Sequence, residues 1–94
     1  INDHSYSIPI CEIESNGDLQ LQLDRDEWNY VQCYLELPNG EILSVDKPKQ
    51  LICKGDLFIF WGENGRLYLS GKGFKAKDVI HKKIGNRLIV KSKL

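Results

Sequence analysis

From Leu19 to Leu23 the chain alternates strictly, with leucine at 19, 21 and 23 and glutamine at 20 and 22. A period of two puts each set on its own face of a β-strand, so the leucines are expected inside and the glutamines outside. Ser15-Asn16-Gly17 precedes this run. A three-residue loop there, with Gly17 left-handed, pairs Ile13 with Leu19 and Cys11 with Leu21 and keeps the apolar positions of a first strand, Tyr6 to Ile13, on the same side. Pro9 within that strand marks an edge or a bulge. The same pattern returns from Tyr30 to Leu37, where Val31, Cys33, Leu35 and Leu37 share a face opposite Tyr30, Gln32, Tyr34 and Glu36. Pro38-Asn39-Gly40 then turns the chain so that Leu43 and Val45 join the apolar side and Ile42 the other.

The most apolar stretch is residues 55–70, two strand-like runs about a turn at Gly62-Glu63-Asn64-Gly65. Loops of two or four residues sort its side chains identically. Phe58, Phe60, Leu67 and Leu69 are expected to face the core, with Leu57, Ile59, Trp61, Arg66, Tyr68 and Ser70 opposite. Leu51 to Cys53 reads as a strand leading into this hairpin. Asp24 to Glu27 reads as one capped helical turn. A Gly- and Lys-rich connection follows Ser70, ordered by Phe74 packing underneath. Val79 to Ile84, a turn at Gly85-Asn86, and Leu88 to Val90 are expected to form a last hairpin or two short strands.

Together these segments predict an all-β domain spanning residues 1–94, a small antiparallel sandwich or partly open barrel of about seven or eight short strands. Its expected core is Cys11, Ile13, Leu19, Leu21, Leu23, Val31, Cys33, Leu35, Leu43, Val45, Phe58, Phe60, Leu67 and Leu69.

Ile10-Cys11 with Gly17-Asp18-Leu19 is echoed by Ile52-Cys53 with Gly55-Asp56-Leu57. A Gly-Asp pair ahead of a strand resembles the GD box of cradle-loop barrels, and two copies imply an internally duplicated barrel. The resemblance covers these few residues and lacks the helix that usually precedes the box, so it carries no function.

Charge adds a lengthwise asymmetry that the zero net total conceals. Residues 1–70 hold 5 Lys/Arg against 12 Asp/Glu, a balance of −7, and residues 71–94 hold 8 against Asp78 alone, a balance of +7. Such a basic segment points to nucleic acid or another polyanion as one class of partner. The chain starts at Ile1 and contains no Met, which reads as a mature or excised domain. No apolar run approaches the ~20 residues of a membrane helix, so no membrane is expected. Cys11, Cys33 and Cys53 lie 22 and 20 residues apart, a spacing that matches no zinc or redox motif. They are expected to be buried thiols in a cytoplasmic protein.

The patterns of catalysis are missing. There is no Gly-x-Ser-x-Gly elbow, and neither His4 nor His81 has a local nucleophile. Gly71-Lys72-Gly73 lacks the earlier Gly and following Ser/Thr of a phosphate loop, and the carboxylates at 24, 26 and 27 lack the rest of a calcium loop. The expected function is therefore a non-enzymatic protein-interaction or accessory module with no cofactor and no metal. Its partner would be another protein contacting the tyrosine-bearing face at Tyr30, Tyr34 and Ile42. The alternative is polyanion binding through Lys72, Lys75, Lys82, Lys83 and Arg87, with Phe74, Trp61 or Tyr68 as stacking platforms.

Overall fold

The computed structural model describes residues 3–27, 32–45 and 51–93. Its elements are β1 (Asp3–Ile13), β2 (Leu19–Asp24), a 3-10 turn (Arg25–Glu27), β3 (Gln32–Glu36), β4 (Ile42–Ser44), β5 (Leu57–Trp61), β6 (Arg66–Gly71), α1 (Ala76–Ile80) and β7 (Arg87–Lys93). The seven strands form one antiparallel sheet, ordered β4-β3-β7-β1-β2-β6-β5, curled into a nearly closed barrel. The all-β, partly open barrel expected from the alternation is what forms.

β1 serves two neighbours. Residues 3–9 pair with β7, and residues 10–13 with β2, with a bulge between Ile10 and Glu12. The bulge gives Leu21 the partner Ile10 in place of the expected Cys11. The Cys11 thiol therefore faces away from the core, toward the Gln20 carbonyl (3.4 Å) and the Arg66 guanidinium (3.7 Å).

Three turns share one construction. In Ser15-Asn16-Gly17, Pro38-Asn39-Gly40 and Glu63-Asn64-Gly65 the Asn Oδ1 accepts the N–H two residues on, at 3.0, 2.9 and 3.0 Å. Each Gly has positive φ, at 92°, 90° and 80°. The third turn overturns the expected sorting of β5. Its loop has three residues, closed by Gly62 N–H to Arg66 carbonyl at 2.8 Å, and an odd count moves every β5 side chain to the opposite face. Ile59 is buried at 4% exposure, whereas Phe60, expected in the core, is 36% exposed. Phe58 is only half-buried.

The core joins Ile10, the three β2 leucines, Cys33, Leu35, Leu37, Leu43, Ile59, Leu67, Leu69, Leu88 and Val90. Ile13 and Val45 are partly buried against it. Val31 lies outside the described residues.

Residues 72–86 cross one end of the barrel from β6 to β7. Val79 to Ile84 is no strand: Val79 ends in α1 and is 51% exposed, and Ile84 is 62% exposed. Ala76 and Ile80, four apart, turn inward instead, with Ala76 fully buried and Ile80 packed on the core. The Lys77 N–H donates to the Gly17 carbonyl at 3.0 Å, and a Cβ on Gly17 would collide with the Lys75 side chain, so the helix is seated on the β1–β2 turn. Leu51–Cys53 is likewise no strand; Leu51 and Cys53 are both exposed. The predicted duplication ends there, since Ile10-Cys11 lies within β1 while Ile52-Cys53 lies in no strand.

Candidate functional site

Cross-strand register builds a patch on the outside of β2, β6 and β5. Gln20 faces Tyr68 and Tyr68 faces Phe60, forming one row across three strands. In the next row Ser70 lies opposite Phe58, with its hydroxyl donating to Asp18 Oδ1 at 2.6 Å. The Phe60 and Tyr68 rings stack at 5.4 Å with 10° between planes, and Phe58 sits 5.9 Å from Phe60. Parallel displaced rings of this kind add about 0.5–1.5 kcal/mol beyond the area they bury.

Tyr68 ties the patch to two turns. Its hydroxyl lies 2.9 Å from Gln20 Oε1 and 3.5 Å from Glu14 Oε1, and it accepts from Asn64 Nδ2 at 3.0 Å. The coiled sheet thus brings the β1–β2 and β5–β6 turns together over one side chain. Between them lies an open cleft of about 420 Å³, walled by Phe60 and Tyr68 and by Glu14, Asp18 and Glu63. Asp18 also accepts from Asn16 Nδ2 at 3.3 Å. Phe58 and Phe60 border a second cavity, of about 720 Å³, which reaches Val45, Ile52 and Lys72.

The residues expected to form a site are dispersed. Tyr68 is in the outer patch. Trp61, at the end of β5, is half-buried against the core on the opposite face. Phe74 pairs with Gly71, and its ring covers the place a Cβ on Gly71 would occupy. Tyr34 is on the outer face of β3, in register with Ser44 and Lys91, and Tyr30 is outside the described residues. The cations do converge on one end of the barrel. Lys72 donates to the Ile52 carbonyl at 2.9 Å, and Lys75 flanks Gly17. Lys82 and Arg87 line a shallow depression beside the β3–β4 turn, where Arg87 Nη1 donates to the Ser7 carbonyl at 2.8 Å. The Lys83 side chain is exposed.

From sequence, Phe60 was expected in the core and Gln20 only to face outward, and Glu14, Asp18 and Glu63 carried no expected role. The signal for Phe60 was the thrice-repeated Asn-Gly turn, which fixes the parity that aims it outward.

Among the described residues no group of His, Cys, Asp and Glu is arranged to hold a metal ion, and no helix is long and apolar enough to cross a membrane. No family model and no curated protein matches the chain. Its fold is similar to that of a solved structure, an uncharacterized conserved protein from Thermotoga maritima, with a TM-score of 0.70 at 14% sequence identity. The match covers 95% of this chain and 36% of the other, so the chain spans about a third of that neighbour's length.

Proposed function

We propose that the domain is a non-enzymatic protein-interaction module that meets its partner through the outer patch of Phe58, Phe60 and Tyr68. The observation that carries this reading is the 36% exposure of Phe60 on a ring already stacked against Tyr68. A large aromatic held rigid at the surface loses little entropy on binding, and such residues are enriched at interfaces. The acidic neighbours of the patch repel phosphate, so these aromatics do not suit stacking on nucleic acid. Placing a photo-crosslinking amino acid at position 60, and in a separate variant at Ile42, tests the reading in cells. Protein adducts from position 60 that are absent from position 42 are expected. Adducts from position 42 alone would move the interface to β4, at the other edge of the sheet.

A second reading, polyanion binding, is supported by the course of residues 72–87, which gathers six cations at one end of the barrel against Asp78 alone on that segment. It uses a different surface and is tested separately.

A further inference from the structure

We propose that the cleft between the β1–β2 and β5–β6 turns receives an arginine side chain from the partner protein. The proposal rests on the protein-interaction reading and supplies the partner's chemistry.

Charge is the first argument. Glu14, Asp18 and Glu63 border the cleft, and none of its described lining residues is Lys or Arg. Among the described residues, two carboxylates elsewhere on the barrel surface are ion-paired, Asp24 with Arg66 at 2.6 Å and Glu36 with Lys91 at 3.5 Å, whereas others such as Glu12 and Asp26 stand singly. No described cation stands within ion-pair distance of the three cleft carboxylates. An apolar occupant would strip water from them without compensation, and an anion would be repelled. A cation compensates them.

The walls select among cations. Phe60 and Tyr68 offer aromatic surface to a cation that also meets the carboxylates. A guanidinium is planar, stacks on aromatic rings and pairs two-pronged with a carboxylate, whereas an ammonium is a compact, strongly hydrated charge. Asp18 is held in place by the Ser70 hydroxyl and the Asn16 amide. Tyr68 is held by Gln20 and Asn64, so both walls are organised before anything binds.

The test uses the whole chain and a short fluorescein-labelled peptide of alternating arginine and glycine, followed by fluorescence anisotropy at low ionic strength. Saturable binding is expected, weakened about tenfold or more in the double variant Glu14→Gln/Glu63→Gln, as losing a charge-complementary pair of contacts demands. Phe60→Ala should weaken it about 2- to 5-fold. Lysine in place of arginine should bind more weakly and glutamate not at all. The control Glu12→Gln/Asp26→Asn removes two exposed carboxylates outside the cleft lining. An equal loss in that control would reduce the effect to general attraction and overturn the proposal. So would a peptide that fails to bind, or sedimentation showing that a second copy of this chain fills the cleft. If position 60 crosslinks a protein while the arginine peptide fails, the cleft assignment falls and the interaction module stands. If neither occurs, both fall.

Discussion

The Phe60 ring lies parallel to that of Tyr68 at 5.4 Å on the outside of the barrel, while Ile59, its neighbour in sequence, lies opposite Leu69 and is buried. Two adjacent apolar residues thus hold opposite roles, one in the core and one in the candidate interface.

The first prediction follows from that division. Ile59→Ala removes a buried side chain and should cost about 2–5 kcal/mol. Phe60→Ala loses only the ring pair and partial burial, about 1 kcal/mol. Urea denaturation of both variants checks the order. A Phe60→Ala loss larger than that of Ile59→Ala would mean that the hairpin has the even-numbered loop.

This hairpin also shows what the sequence could convey. In β2 the alternation is strict and one-sided, so leucine against glutamine reveals the buried face directly. In β5 all five residues are apolar, and the face is decided by loop parity alone. The Asn-Gly chemistry read as a three-residue loop at Asn16 and Asn39 applies equally at Asn64, where the preceding Gly62 offered two competing loop lengths. α1 was obscured for a different reason. Its only helical signal is Ala76 with Ile80, since Val79 and Ile84 are apolar yet exposed. The outer patch was illegible because it depends on the register of β2 against β6, and partners such as Gln20 and Tyr68, 48 residues apart, leave no local trace.

A second prediction concerns Gly62. A Cβ there would fall against the Tyr68 ring, 2.8 Å from Cδ1. That ring cannot easily yield, because Gln20 and Asn64 hold its hydroxyl and Phe60 stacks on its face. Gly62→Ala should destabilise the fold by about 1–3 kcal/mol, in the range of overpacking, and weaken binding at the patch. Near-ultraviolet circular dichroism reads the ring displacement directly. A melting curve and aromatic spectrum like those of the unaltered protein would refute the fixed position of Tyr68.

The three thiols should separate by rate. Expected alike from sequence, they differ in the structure: Cys53 is exposed, Cys11 half-buried and Cys33 buried. A thiol reagent should label Cys53 rapidly in the native protein, Cys11 more slowly, and Cys33 only on opening of the barrel. Peptide mapping after brief labelling identifies the site. Cys33 reacting first would contradict its burial on the core side of β3.

The basic end of the barrel provides the last prediction. Lys72, Lys75, Lys77, Lys82, Lys83 and Arg87 all lie on or beside the crossing from β6 to β7, yet they are not equally available. Lys72 and Arg87 each donate to a backbone carbonyl, whereas the side chains of Lys75, Lys77 and Lys83 are exposed on or next to α1. A polyanion should therefore depend most on these last three. If about four phosphates of a single strand are engaged, released counterions give a log–log salt slope near −3. Charge reversal at Lys75, Lys77 and Lys83 should then abolish binding to a labelled single-stranded oligonucleotide at roughly 50 mM salt. Stability should move by no more than about 0.5 kcal/mol per exposed site. The cleft variant Glu14→Gln/Glu63→Gln should leave oligonucleotide binding intact, because its carboxylates belong to the outer patch. Absence of binding by the unaltered protein under these conditions would remove the polyanion reading, leaving the lysines as charges that keep this end of the barrel hydrated.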